Sequence, residues 1–163
     1  MKNTNIIKVL MVTVVAFLYA CGGADSQTAE ETASAESPEA VSAGPVDTKA
    51  KSDSKGIGKF TSVEIKDLDP AMAVRGEAIF TSKCSACHKV TADKVVGPGL
   101  LGLTERRTPE WIMNMITNPE EMTKQDPVAK ALFEEHLIQM TFQDVSDEET
   151  REILEYFRQI DSK

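Results

Sequence analysis

Two cysteines three positions apart with a histidine directly after them, Cys84-Ser85-Ala86-Cys87-His88, constrain this chain of 163 residues more than any other feature. C-x-x-C-H is the pattern of covalent haem attachment. Cysteines at this spacing on a helical turn can each form a thioether with a vinyl group on one porphyrin edge, and the adjoining imidazole reaches the iron. A fold carrying the motif has to close around a large planar cofactor, one haem c with its iron. Competing uses fail on counting. A thioredoxin-like C-x-x-C needs a βαβ setting, and no alternation of strands and helices surrounds Cys84. A structural zinc site needs four ligands, whereas the sequence holds one further cysteine, Cys21, and one further histidine, His136.

The amino-terminal third does not belong to such a fold. Lys2 and Lys8 precede an apolar run from Val9 to Tyr19, too short to span a bilayer as a mature helix but suited to a signal-peptide core. Leu18-Tyr19-Ala20-Cys21 ends the run and resembles a bacterial lipobox. On this reading residues 1–20 are a signal peptide and Cys21 is lipidated as the mature N-terminus. Export agrees with the haem motif, because in bacteria covalent attachment takes place outside the cytoplasmic membrane. The expected location is the cell envelope, lipid-anchored and facing the periplasm. Residues 21–59 are rich in Ala, Ser, Thr, Glu, Gly and Pro, a composition that cannot bury enough apolar surface to fold. They read as a disordered linker with a mean reach of ~30–40 Å, leaving 60–163 as the folded domain.

Within that domain the helix starts are legible. Asp69-Pro70, Thr108-Pro109, Asn118-Pro119 and Asp126-Pro127 each set a capping side chain before a proline suited to the first helical position. Ser146 with Glu149 forms a capping box over an acidic first turn. Helices are expected at about 70–84, 109–117, 127–138 and 147–161, with a short turn near 119–123. No run alternates as a sheet requires, so the class is all-α. A domain of about a hundred residues has a thin core, to which a buried haem adds interior.

The spacing Gly76-x-x-x-Phe80-x-x-x-Cys84-x-x-Cys87-His88 resembles the N-terminal helix and haem loop of class I monohaem cytochromes c. The resemblance implies that Gly76 and Phe80 cross against a C-terminal helix carrying Ile153, Leu154, Tyr156 and Phe157. Val96-Gly97-Pro98-Gly99-Leu100-Leu101-Gly102-Leu103 is similar to that family's G-P-x-L-x-G-L segment. By position Gly97 and Pro98 then belong to the haem loop, the Pro98 carbonyl accepts a hydrogen bond from His88, and Leu100 lines the haem. Such a bond fixes the orientation and basicity of a ligating histidine. Met140, six residues before the Ser146 cap, occupies the place of the family's axial methionine, although Thr141 stands where most relatives have proline. Met113, Met115, Met122 and His136 are the other candidates for the sixth ligand. Met113 and Met115 fall inside a helix, where methionine is commonly core, while Met122 lies in the expected turn. His136 shares a helical line with Val128 and Leu132 and reads as a core histidine with satisfied nitrogens. Trp111 is a candidate to pack on the haem or to donate to a propionate, although a lone tryptophan on an amphipathic helix is more often simple core.

The formal net charge is −8, to which residues 59–163 contribute −6. That excludes nonspecific nucleic-acid binding. Lys83, Lys89 and Lys94 bracket the attachment motif and Arg106-Arg107 follow the Gly97–Leu103 segment, a basic rim able to orient docking of a redox partner. The expected function is that of a monomeric, membrane-tethered carrier of one electron between protein partners, with no substrate bond made or broken. Arg107-Thr108-Pro109-Glu110-Trp111-Ile112 and Asn118-Pro119-Glu120-Glu121-Met122 resemble lipoprotein monohaem cytochromes associated with bacterial terminal reductases, nitrous oxide reductase among them. The resemblance implies respiration, with a quinol-oxidising donor and a terminal reductase or oxidase as acceptor. Two other classes, a haem-based gas sensor and a peroxidase-like enzyme, follow if Met140 leaves the iron open.

Overall fold

The computed structural model describes residues 45–163, and the expectations for the signal peptide and for Cys21 lie outside them. Six helices and no strand occur among the described residues: α1 (Pro70–Lys83), α2 (Leu103–Arg106), α3 (Pro109–Thr117), α4 (Pro119–Gln125), α5 (Pro127–His136) and α6 (Asp147–Asp161). The fold is all-α, as the capping pattern predicts. Asp69, Thr108 and Asp126 each accept backbone N–H groups of the first turn that follows, and Ser146 and Glu149 close a reciprocal capping box. Each such cap stabilises by about 1 kcal/mol.

The central packing is the crossing of α1 on α6. Gly76 sits where the two backbones meet: a Cβ built there would lie 2.0 Å from the carbonyl oxygen of Glu152. One turn later Phe80 packs between Tyr156 and Phe157, with ring centroids at 5.6 Å and 5.8 Å, the second pair edge to face. Each aromatic pair adds about 0.5–1.5 kcal/mol beyond its buried area. Arg75 pairs with Glu152 at the edge of the crossing. Glu155 is fully buried on the same helix. Burial opposes its charge, but Arg151 at 2.5 Å, the N–H of Asp69 at 2.8 Å and Arg158 at 2.8 Å outweigh it and hold the carboxyl below its ordinary pKa.

Three features differ from the sequence-based expectation. First, α4 is a helix of seven residues rather than a turn, and the Asn118 side chain does not cap it; its Nδ2 donates to the carbonyl of Ile57 at 3.1 Å. Second, α2 was not anticipated. It starts from Gly102 at φ 70°, and its first N–H groups are bound by Asp161, at the far end of α6, through Gly102 at 2.7 Å and Thr104 at 2.8 Å. Third, the ordered body begins before residue 60. Residues 47–60 form a strap across α3 and α4 whose two large apolar residues, Ile57 and Phe60, pack against the core; its otherwise polar composition assigns all of it but Phe60 to the linker. Its carbonyls are satisfied by side chains of the domain: Arg107 holds Thr48 and Ala50, Thr108 holds Ser54, and Asn114, 1% exposed, holds Lys55 and Phe60. Glycines flanking Ile57 let the strap lie flat; a Cβ on Gly56, at φ 71°, would lie 2.6 Å from the Met122 sulfur.

Arg107 is therefore not part of a basic rim. It is 4% exposed and stacks its guanidinium 5.3 Å from the centroid of Trp111. Lys83 also has other work: its Nζ donates to the carbonyl of Asp144 at 2.6 Å and lies 3.8 Å from Glu149. Lys89 and Lys94 remain exposed beside the motif.

Candidate haem-binding site

The attachment motif is positioned by the end of α1. The N–H groups of Cys84 and Ser85 both donate to the Phe80 carbonyl, and those of Cys87 and His88 to the Cys84 carbonyl at 3.1 Å and 3.0 Å. This turn starts from the aromatic residue at the helix crossing, so the crossing and the motif are one rigid unit. Cys84 and Cys87 are free thiols, not a disulfide. Cys84 is half-buried against the core and Cys87 is exposed. Burial raises the Cys84 pKa, with the Lys83 charge opposing it.

The chain then doubles back over the histidine. Gly97 N–H donates to the Cys87 carbonyl at 3.0 Å and Leu100 N–H to that of Lys89 at 2.8 Å. His88 Nδ1 lies 3.0 Å from the Pro98 carbonyl. That oxygen only accepts, so Nδ1 carries the proton and Nε2 is left with its lone pair. Gly97 has a role that sequence reasoning missed. A Cβ there would be 2.4 Å from His88 Cε1, so only glycine lets the imidazole lie against this backbone. Gly99 similarly allows close approach to the Thr91 carbonyl, 2.4 Å from where its Cβ would stand. Leu100 is half-buried and packs on the core.

These observations fit a covalent haem. Two unpaired thiols follow a rigid helix end, and the next residue is a histidine whose free nitrogen is set by a backbone bond through the other. Trp111, in contrast, is committed to the core. It is 3% exposed, and its indole N–H donates to Asp126 Oδ1 at 3.0 Å, which also caps α5. Of the alternatives for Trp111 the core reading holds, and it does not donate to a propionate, since its single donor is taken.

Met140 is half-buried in the loop between α5 and α6. Among the described residues, Leu137 (φ 56°) and Asp144 (φ 51°) are the non-glycine residues in the left-handed region, and they frame this loop. The conformation costs about 1–2 kcal/mol for a residue such as leucine, and strain of this kind gathers at functional segments. Both ends of the loop are pinned. Gln139 accepts from Thr123 Oγ1 at 2.9 Å and donates to the Met140 carbonyl at 2.8 Å, while Lys83 holds Asp144. Neither anchor has a sequence signature. Met115 is half-buried and packed against the core, and the two other rival methionines are buried. Met122 is 0% exposed and its sulfur accepts the Ile57 N–H at 2.9 Å; Met113 is 3% exposed in the core.

Comparison with known proteins agrees with this geometry. Residues 73–161 match the family model described as Cytochrome c. A Synechocystis protein described as cytochrome c-553-like is 36% identical over 62 residues, a match spanning 31% of this chain and 59% of that relative, about three fifths of its length. The structure of cytochrome c from Rhodothermus marinus superposes with a TM-score of 0.62 at 39% identity, covering 64% of this chain and 90% of that one. An engineered form of the same cytochrome gives 0.63 at 37% identity, covering 65% and 92%. The chain belongs to the cytochrome c family, small haem proteins that carry electrons on the iron of a covalently bound haem c.

Proposed function

We propose that Cys84 and Cys87 hold the haem by thioethers, that His88 and Met140 are its two axial ligands, and that the protein is a lipid-anchored periplasmic electron carrier. Bound in this way, the haem supplies a reversible one-electron couple. The observation that carries the ligand assignment is the fate of Met122: fully buried, with its sulfur engaged by Ile57, it is withdrawn from competition. Met140 lies in the strained, doubly pinned loop and has no such commitment. A histidine and a thioether together raise the reduction potential, and filling both axial sites favours electron transfer over binding of small molecules. His88 is oriented through Pro98 and Met140 through Gln139 and Lys83, so both are preorganised. That keeps the structural change between oxidation states small.

Met140→Ala is expected to abolish the weak red absorption band that sulfur ligation gives the ferric protein, and to lower the potential. Persistence of the band in this variant would remove Met140 from the iron.

The proposed acceptor is a terminal reductase such as nitrous oxide reductase, or an oxidase, with a quinol-oxidising complex as donor. Exposed Lys89 and Lys94 beside the attachment motif suit an acidic patch on such a partner. Anchoring at Cys21 confines the search for partners to one membrane surface, which increases encounter by effective concentration. In cells expressing Cys21→Ser, covalent haem should move to the soluble fraction with its spectrum unchanged, and membrane-supported reductase turnover should slow. Retention on membranes would rule out the lipid anchor, and unchanged turnover would rule out the reductase as the acceptor served.

A further inference from the structure

His136 is the last residue of α5, and its side chain is 6% exposed. Sequence reasoning treats it as a satisfied core histidine, and the structure corrects this. Among the described residues its Nδ1 is the one buried side-chain polar atom without a hydrogen-bond partner. Nε2 approaches Glu135 Oε1 at 3.8 Å, too far for a hydrogen bond. Leaving a buried polar group unpaired costs about 1–3 kcal/mol. A phenylalanine or leucine in its place would avoid the cost, so the imidazole calls for another explanation.

Its surroundings point toward the attachment segment. Burial is the main cause of a pKa below the ordinary histidine value, and the charge of Lys94 acts in the same direction, against Glu135. The ring is therefore neutral near pH 7 and keeps a lone pair. The next residue, Leu137, is left-handed at φ 56° and 81% exposed, with its N–H closing the last turn on the Phe133 carbonyl at 2.8 Å. This strained residue joins His136 directly to the loop that carries Met140. Opening that single turn frees the histidine and the loop together.

We infer that His136 is a reserve axial ligand, which takes the sixth position on the haem iron when Met140 leaves it. The inference rests on the assignment of Met140 as the resident ligand. In the exchange an iron–sulfur bond breaks and an iron–nitrogen bond forms; no electron is transferred, and the neutral imidazole releases no proton. A bis-histidine centre has a lower potential than a histidine–methionine one. The exchange thus converts an acceptor of electrons at high potential into a poor one, without loss of haem.

The test uses electron paramagnetic resonance and optical spectra of the ferric full-length haem protein in four forms: wild type, Met140→Ala, His136→Phe, and the double variant. The sulfur band of the wild type reports on Met140 alone, and His136→Phe should leave it in place. Met140→Ala should be low-spin with a bis-imidazole signal, and adding His136→Phe should turn it high-spin. Free imidazole should return the double variant to low spin, showing that its haem pocket is intact. A high-spin Met140→Ala protein overturns the proposal, as does a double variant that stays low-spin without added imidazole. Absence of the sulfur band from the wild type, or its survival in Met140→Ala, overturns the resident assignment instead.

Discussion

Gly76→Ala should destabilise the folded haem protein by about 3 kcal/mol or more, read as a drop in the denaturant midpoint. Two effects of opposite sign compete at this position. In an exposed helix, replacing glycine by alanine stabilises by about 1 kcal/mol, because alanine loses less backbone entropy on folding. Here the new methyl would lie 2.0 Å from the Glu152 carbonyl oxygen and 2.5 Å from its carbon. Both are backbone atoms of a helix, and no side chain can rotate away to admit it. The helices have to separate, and separation loosens the contacts of Phe80 with Tyr156 and Phe157. Since domains of this kind have a total stability of about 5–15 kcal/mol, the loss is a large share of it. An unchanged midpoint, or a rise, would mean that the crossing is looser than the geometry described above.

Cys87→Ala should leave little haem resistant to denaturation in a gel stained for haem, although it removes almost nothing from the protein core. The Cys87 thiol is exposed, so its deletion costs the fold within about 0.5 kcal/mol. The substitution therefore removes the linkage without opening a void in the protein's own packing. Cys84→Ala does not separate them as well, because Cys84 packs against the core and its loss also leaves a small void. Covalent haem at the wild-type level in Cys87→Ala would exclude this residue from the linkage.

The parts of the fold that were legible in the sequence are those whose cause is local. Five of the six helices begin at an Asp, Thr or Asn followed by proline or at a capping box, although the Asn118 side chain does not cap, and an observer needs only three or four adjacent residues to see each. The attachment motif is equally local. What escaped depends on partners far along the chain. α2 owes its start to Asp161, and the strap owes its order to side chains of Arg107, Thr108 and Asn114 and to the two isolated apolar contacts of Ile57 and Phe60, which form no periodic pattern. Arg107 illustrates the limit well. Next to Arg106 and after a glycine-rich loop it reads as a surface charge, but it is spent on carbonyls of a segment 57 and 59 residues away and on the face of Trp111. Among the methionines, helical position identified Met113 as core, whereas Met122 could be withdrawn only once the strap was seen to cover it.

The crossing of α1 and α6 also sets an order of events. Arg75 and Glu152, which meet there, are 77 residues apart. The closing contact cannot form until the last helix has been made, and closing so long a loop is an entropic cost borne before its contacts return anything. Cys84 to His88 follow α1 directly, so their turn hangs from one arm of that late contact. The contact that closes the domain is also the one that sets the attachment motif in its final place, because Phe80 takes part in both.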